Sequence, residues 1–267
     1  MTTLNTHTEK RKIVVHYHIY KAAGSTIIDG LRENFGSDSV LEVDKHSDYG
    51  KEKVYNIAFF EGLVEANPGT RAYTAHRVIP NIHFSEKLDV YPITFVRHPL
   101  LRANSVYRFE RIRKDEWPRK HIALKYDLAG WIDWCLNSNQ GIECRNVQSR
   151  LLSLNENGHF MSDLKSDTHR AKLSLVYERL DSMPVVGVVE MFDRSLEVIN
   201  RTAKEHFGNF HINSAQVNST KVVEDWRAEL DMMEKSLPSS LLDRFYDENA
   251  DDMAVFERYR LQLDRKQ

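Results

Sequence analysis

The pattern of apolar and polar positions divides the chain into strand-length and helix-length segments. Ile13-Val14-Val15-His16-Tyr17-His18-Ile19 is short, β-branched and aromatic, and predicts a strand. Beyond the small-residue turn that follows it, Ile27, Ile28 and Leu31 are spaced as on one face of a helix. Val40–Val43 predicts a further strand, and Tyr55–Ala66 a helix stopped by Asn67-Pro68-Gly69. Arg71–Ala75 predicts a strand that leads into His76. Tyr91–Val96 predicts another, ending in Arg97-His98-Pro99, where the proline suits the first turn of a helix.

Ile122–Leu154 reads as helical, and Val185–Val189 is a continuous apolar run of the kind a buried strand makes. Met191–Phe207 is again helical, and Ile212–Lys221 is polar and irregular. Val222–Leu263 predicts helices divided near Pro238, free to pack on their own domain or on a partner. Strands alternating with helices predict an α/β fold with a mainly parallel sheet covered on both faces. No repeat, low-complexity segment or linker divides residues 1–267, so one domain is expected, with 1–11 flexible and 222–267 a helical tail.

Composition narrows the classes. A hydrophobic share of 41% supports a substantial core. A formal net charge of −2 disfavours a non-specific nucleic-acid binder, and an anionic ligand would need a local basic patch. The cysteines, Cys135 and Cys144, are too few for a disulfide framework and are expected as reduced thiols, with no metal pattern around them. The first twelve residues are polar and lack the apolar stretch of a signal peptide. No run approaches the ~20 apolar residues of a membrane span, so a cytoplasmic protein is expected. The oligomeric state is left open.

Candidate chemistry concentrates in two places. In the turn Lys21-Ala22-Ala23-Gly24-Ser25-Thr26, small side chains admit an anion to the backbone. The helix that follows offers unpaired N–H groups and a positive dipole end. Lys21 adds a cation, and Ser25 and Thr26 add hydroxyls. The spacing differs from G-x-x-x-x-G-K-[ST], because the lysine comes four residues before Ser25 and a second glycine is missing. The turn also reads as an ordinary strand-to-helix connection with Ser25 or Thr26 as N-cap. The second place is Arg97, at a strand end on the ligand edge of an open parallel sheet, with Ser105 about two helical turns further on. Arginine grips a phosphate with paired hydrogen bonds, and a serine hydroxyl adds a third. Arg102, Arg108, Arg111 and Arg113 on the same helix read mostly as a solvated face, paired with Glu110, Asp115 and Glu116.

These segments together resemble the carbohydrate sulfotransferases that use 3′-phosphoadenosine-5′-phosphosulfate (PAPS), the family of heparan sulfate 2-O-sulfotransferase and its bacterial relatives. His18-Ile19-Tyr20-Lys21-Ala22-Ala23-Gly24-Ser25-Thr26 resembles the 5′-phosphosulfate loop, commonly H-I-P-K-T-x-G-T-S. Arg97-His98-Pro99 through Ser105 resembles the 3′-phosphate motif, commonly R-D-P-x-x-R-x-x-S. Tyr20 replaces the usual proline, Ala22 the usual threonine and His98 the usual aspartate. Thr74-Ala75-His76, Asn146–Arg150 and Val186–Glu190 match further segments in the family's order, so the likeness runs over residues 12–225 in pieces.

The resemblance implies a P-loop-like sulfotransferase fold and in-line transfer of a sulfuryl group from PAPS to a hydroxyl of a carbohydrate or glycoconjugate. No metal is implied. Lys21 and the backbone from Ala22 to Thr26 would hold the 5′-phosphosulfate, and Lys21 would neutralise charge on the departing bridging oxygen. Arg97 and Ser105 would hold the 3′-phosphate, with Ser219-Thr220-Lys221 near the 3′-phosphoadenosine end. His76 would be the general base, with Glu61 as the fallback. Tyr107, Arg108, Phe109, Arg111, Arg113, Trp117, Arg119 and Lys120 read either as an acceptor surface or as a partly buried helix with a solvated basic face. Two other readings stand beside this one. A P-loop nucleotide kinase would share the cradle, although no acidic strand end stands out to hold magnesium. A non-catalytic nucleotide- or glycan-binding protein would share the scaffold.

Overall fold

An all-parallel sheet organises the chain in a computed structural model that describes residues 10–45, 54–80, 84–155, 163–164, 170–213 and 225–265. Its strands are β1 (Arg11–Tyr17), β2 (Val40–Glu42), β3 (Ala72–Ala75), β4 (Leu88–Val96) and β5 (Gly187–Val188). The order across the sheet is β2-β3-β1-β4-β5. β1 lies at the centre, so both of its faces are covered and Ile13–Tyr17 is buried without alternation. Of the segment expected to be flexible, residues 1–9 lie outside the described residues. Arg11, by contrast, opens β1, and its guanidinium donates to the carbonyls of Val64, Asn67 and Thr70 at 2.6–2.7 Å.

The helices are α1 (Gly24–Phe35), α2 (Ile57–Ala66), α3 (Pro99–Ile112), α4 (Pro118–Lys125), α5 (Leu128–Asn137), α6 (Val147–Leu152), α7 (Leu173–Asp181), α8 (Phe192–Phe207), α9 (Trp226–Ser236), α10 (Ser239–Glu248) and α11 (Ala250–Arg265). α2 starts at Ile57 rather than Tyr55 because the Asn56 side chain accepts the Phe59 N–H and caps it, while Tyr55 bridges to Val78. The stretch expected as helix from Ile122 to Leu154 is three helices, the first beginning at Pro118, with a break before α6 at Asn146 (φ 49°). Of the expected strand Val185–Val189 only Gly187–Val188 pairs. Past it, Ser195 Oγ of α8 donates to the Val188 carbonyl and accepts its N–H, taking the place of a further strand.

One core joins the sheet to α1, α2, α7, α8 and α11. A second gathers α3, α5, α9 and α10 around the fully buried Trp131. The carboxy-terminal helices therefore pack on their own chain. Burying an aromatic side chain of this kind stabilises the fold by roughly 2–3 kcal/mol. Cys135 and Cys144 are free buried thiols, as expected. Among the described residues no helix is long and apolar enough to cross a membrane.

Candidate functional site

Strand register assembles the site. Tyr17 pairs with Ala75 of β3 on one side and Thr94 of β4 on the other, and Val96 pairs with Val188 of β5. The residues that leave the carboxyl ends, His18–Lys21, His76, Arg97 and Glu190, therefore emerge at one edge. The chain leaves β1 toward β2 and leaves β4 toward β5, in opposite directions across the sheet. The crevice between β1 and β4 is thus a topological switch point, where open α/β sheets bind ligands.

The turn after β1 holds an unusual backbone. Lys21 (φ 64°) and Ala23 (φ 63°) both occupy the left-handed region, which costs a non-glycine residue roughly 1–2 kcal/mol. Strain of this kind clusters at ligand sites, and N–H groups brought together by such a turn form an anion-binding concavity. Ala23, rather than Ser25 or Thr26, is the N-cap of α1, and no side chain caps this helix end. The amino-terminal N–H groups of α1 are left without a side-chain cap. The cradle is one residue shorter than the sequence suggests, because the Ala22 N–H already bonds the Ile19 carbonyl at 3.1 Å. Gly24 is required by close approach: a Cβ there would stand 1.6 Å from His18 Nε2. Ser25 is exposed and Thr26 buried.

His76 stands beside this turn. Its backbone N–H donates to Asp44 Oδ2 (2.5 Å), and its Nδ1 lies 2.6 Å from the His18 carbonyl. A carbonyl only accepts, so Nδ1 carries the proton and the Nε2 lone pair is free to take one. The His18 ring packs at a tilt against His76 at 4.0 Å and stacks on His16 at 5.0 Å. Burial, then the neighbouring His76, His16 and Lys21, hold His18 far below the usual imidazole range, so it stays neutral. The Tyr20 ring meets His76 and Phe109 edge-on, each at 6.0 Å. Lys21 Nζ lies 4.5 Å above the Phe109 ring, and burial followed by the nearby Arg97 lowers its pKa. The fallback base, Glu61, instead accepts the Ser85 N–H at 2.6 Å.

Arg97 reaches the same turn: its Nη1 donates to the Lys21 carbonyl at 3.1 Å. Its backbone is clasped by Gln148 of α6, whose Oε1 accepts the Arg97 N–H (2.9 Å) and whose Nε2 donates to the Arg97 carbonyl (2.8 Å). Gln148 is held in turn by Asp252 of α11. Asp252 accepts from the Gln148 and Ser149 backbone N–H groups (3.1 and 2.7 Å) and from Ser149 Oγ (2.6 Å). On its other side Arg97 Nε faces Glu190 Oε1 at 3.5 Å, and this carboxylate is 2% exposed. Burial pushes Glu190 up to about 7 despite the guanidinium beside it. His98 turns away from the crevice, against Phe256 (5.1 Å) and Tyr246 (6.1 Å), and burial lowers it to about 4.

Ser105 is a buried residue of α3, and no hydrogen bond joins it to Arg97 among the described residues. Ser219, Thr220 and Lys221 lie outside the described residues. Arg102 is no part of a solvated face. It is 1% exposed and donates to buried Glu143 at 3.0 Å, as Arg119 does at 2.6 Å. Arg113 pairs with Glu110 (3.0 Å) and Asp115 (2.6 Å) as expected. Trp117 is exposed and Arg113 lies over it at 5.2 Å, so the Tyr107–Lys120 region divides into a buried ionic cluster and an open aromatic rim. Acidic groups do follow strands: Asp44 after β2 and Glu190 after β5. An arginine holds each, Arg77 at 2.9 Å and Arg97 at 3.5 Å. Sequence reasoning did not single out Glu190, although it is the first charged residue after a buried apolar run. Asp252 gave no signal.

No family model matches the chain, and no solved structure matches it. An uncharacterized protein of Archaeoglobus fulgidus is 25% identical over 253 residues, covering 93% of this chain and 96% of its own length.

Proposed function

We propose that the chain is a cytoplasmic sulfotransferase with the P-loop-like fold of that class, moving the sulfuryl group of PAPS to a hydroxyl of a carbohydrate or glycoconjugate. The observation that carries this reading is the 3.1 Å contact between Arg97 Nη1 and the Lys21 carbonyl, which brings the Lys21 turn and the Arg97 guanidinium into one crevice. A donor with phosphate on both the 3′ and the 5′ position of its ribose fits such a pair, and a nucleotide phosphorylated at one position would use one of them.

In this reading the N–H groups from Ala23 to Thr26 and the Lys21 ammonium bind the 5′-phosphosulfate. Arg97 binds the 3′-phosphate, with Ser105, Ser219 and Thr220 assigned to the same end of the nucleotide by resemblance. Sulfuryl transfer, like phosphoryl transfer, is served by in-line positioning and charge stabilisation. Lys21 stabilises negative charge on the bridging oxygen as it departs. The acceptor hydroxyl approaches from the side of Tyr20 and Phe109, whose rings offer a sugar a stacking face, and gives its proton to His76 Nε2. The fixed tautomer of His76 means that no ring rotation is needed before proton transfer.

Transfer of labelled sulfate from PAPS to a panel of glycans tests the reading. Turnover with wild type, its loss by at least 10²-fold in His76→Ala and unchanged binding of adenosine 3′,5′-bisphosphate by that variant are expected. Wild-type rates in His76→Ala would remove this histidine from the mechanism.

A further inference from the structure

Arg97 is not free at rest. Its Nε faces Glu190 Oε1 at 3.5 Å, yet neither atom makes a hydrogen bond, so the two charges are paired without being locked. Glu190 also accepts the His98 N–H through Oε2 at 3.2 Å, which keeps the carboxylate in place on the turn after β5. A phosphate on Arg97 would bring a second anion within a few ångströms of this buried carboxylate, and two adjacent anions in a dry site do not both stay ionised.

We propose that Glu190 is the counter-ion of Arg97 and takes up a proton when an anion replaces it on the guanidinium. This rests on the reading of Arg97 as an anion site and names its regulation: binding is coupled to proton uptake and weakens as pH rises.

The surroundings single out Glu190 for this role. Arg97, just past the end of β4, is the cation that faces it, and Lys21 and Arg102 add positive charge around Arg97. Glu229, from α9, adds negative charge at Arg97. The adjacent His98 ring is neutral above pH of about 4. From α6 comes the uncharged Gln148, and from α11 comes Asp252, committed to Gln148 and Ser149. Glu190, raised by burial to about 7, is poised to change charge near neutrality.

Titration calorimetry with adenosine 3′,5′-bisphosphate, in buffers of different ionisation heat, reads the proton directly. Above pH 7 the wild type should take up as much as one proton more than E190Q. Its affinity should fall up to about tenfold per pH unit, while that of E190Q stays level. Equal uptake and equal pH dependence in the two proteins would overturn the proposal while leaving nucleotide binding intact. Failure of both to bind the nucleotide would count against the sulfotransferase reading, and sodium sulfate, whose charge is constant over this range, then serves as the probe. A sulfate-dependent rise in Tm that shrinks from pH 6 to pH 8 in wild type supports the counter-ion role, and a rise independent of pH overturns it. This last arm needs no variant.

Discussion

At the scale of single residues, the site depends on one missing methyl group and one fixed proton. The bare Cα of Gly24 lies against the His18 ring, and that ring packs against His76 at 4.0 Å. Gly24→Ala would place a Cβ 1.6 Å from His18 Nε2. The ring must then move, and its carbonyl, which fixes the His76 tautomer, lies on the same residue. Overpacking of this kind costs roughly 1–3 kcal/mol, to be read as a lower urea midpoint at unchanged slope. Turnover should fall along with it. A fully stable, fully active Gly24→Ala protein would mean that the histidine stack is incidental. The residue types in this turn were legible, since small side chains after a β-branched run signal close approach. The left-handed backbone at Lys21 and Ala23 was not, because both residues more often sit in other conformations.

At the scale of elements, the carboxy-terminal helix α11 supports the site from behind. Asp252 caps the start of α6, and Asn146 Oδ1 in return accepts the N–H groups of Asp251 and Asp252 at 2.9 and 3.0 Å, so the two helix ends cap each other. Through Gln148 this joint fixes the backbone of Arg97. Asp252→Ala should cost roughly 2–4 kcal/mol, since it strips several buried donors of their acceptor, and should weaken nucleotide binding without touching the ligand. Chemical denaturation and calorimetry check both; intact binding would show that Arg97 holds its place without α11. The central strands were readable because buried parallel strands are continuous apolar runs. The Asp252–Gln148 joint was not, because its partners lie 104 residues apart and no local pattern links them. Arg102 misled for a related reason. A basic helix face looks solvated until Glu143, 41 residues on, is folded against it. β5 proved shorter than its apolar run because a serine of α8, rather than another strand, satisfies its edge.

At the scale of the whole molecule, buried ionisable groups set the pH range of the fold. Burial depresses His16 to about 3 and His98 to about 4, and moves His18 in the same direction. In each case the unfolded chain binds the proton first, near pH 6.5, so stability is lost as pH falls below that value. Glu190 has the opposite sign: raised from 4.5 to about 7, it makes the folded protein the better proton binder, so stability declines as pH rises across that window. Between about pH 4.5 and 6.5 three histidines outweigh one glutamate. A net uptake of about two protons on unfolding should lower stability by roughly 2–3 kcal/mol per pH unit on acidification. Guanidinium midpoints at pH 5, 6 and 7 check this, and a flat profile would mean that these histidines are not held neutral in the fold. The functional account rests on the crevice between β1 and β4 holding both ends of one nucleotide. Its most direct test is the affinity of the protein for adenosine 3′,5′-bisphosphate with magnesium chelated. The two monophosphates and the Lys21→Ala and Arg97→Ala variants complete the comparison. The account predicts magnesium-independent binding, weakened at least tenfold by removing either phosphate. Lys21→Ala should erase the contribution of the 5′-phosphate and Arg97→Ala that of the 3′-phosphate. Equal affinity for bisphosphate and monophosphates, or binding of ATP alone and only with magnesium, would contradict it.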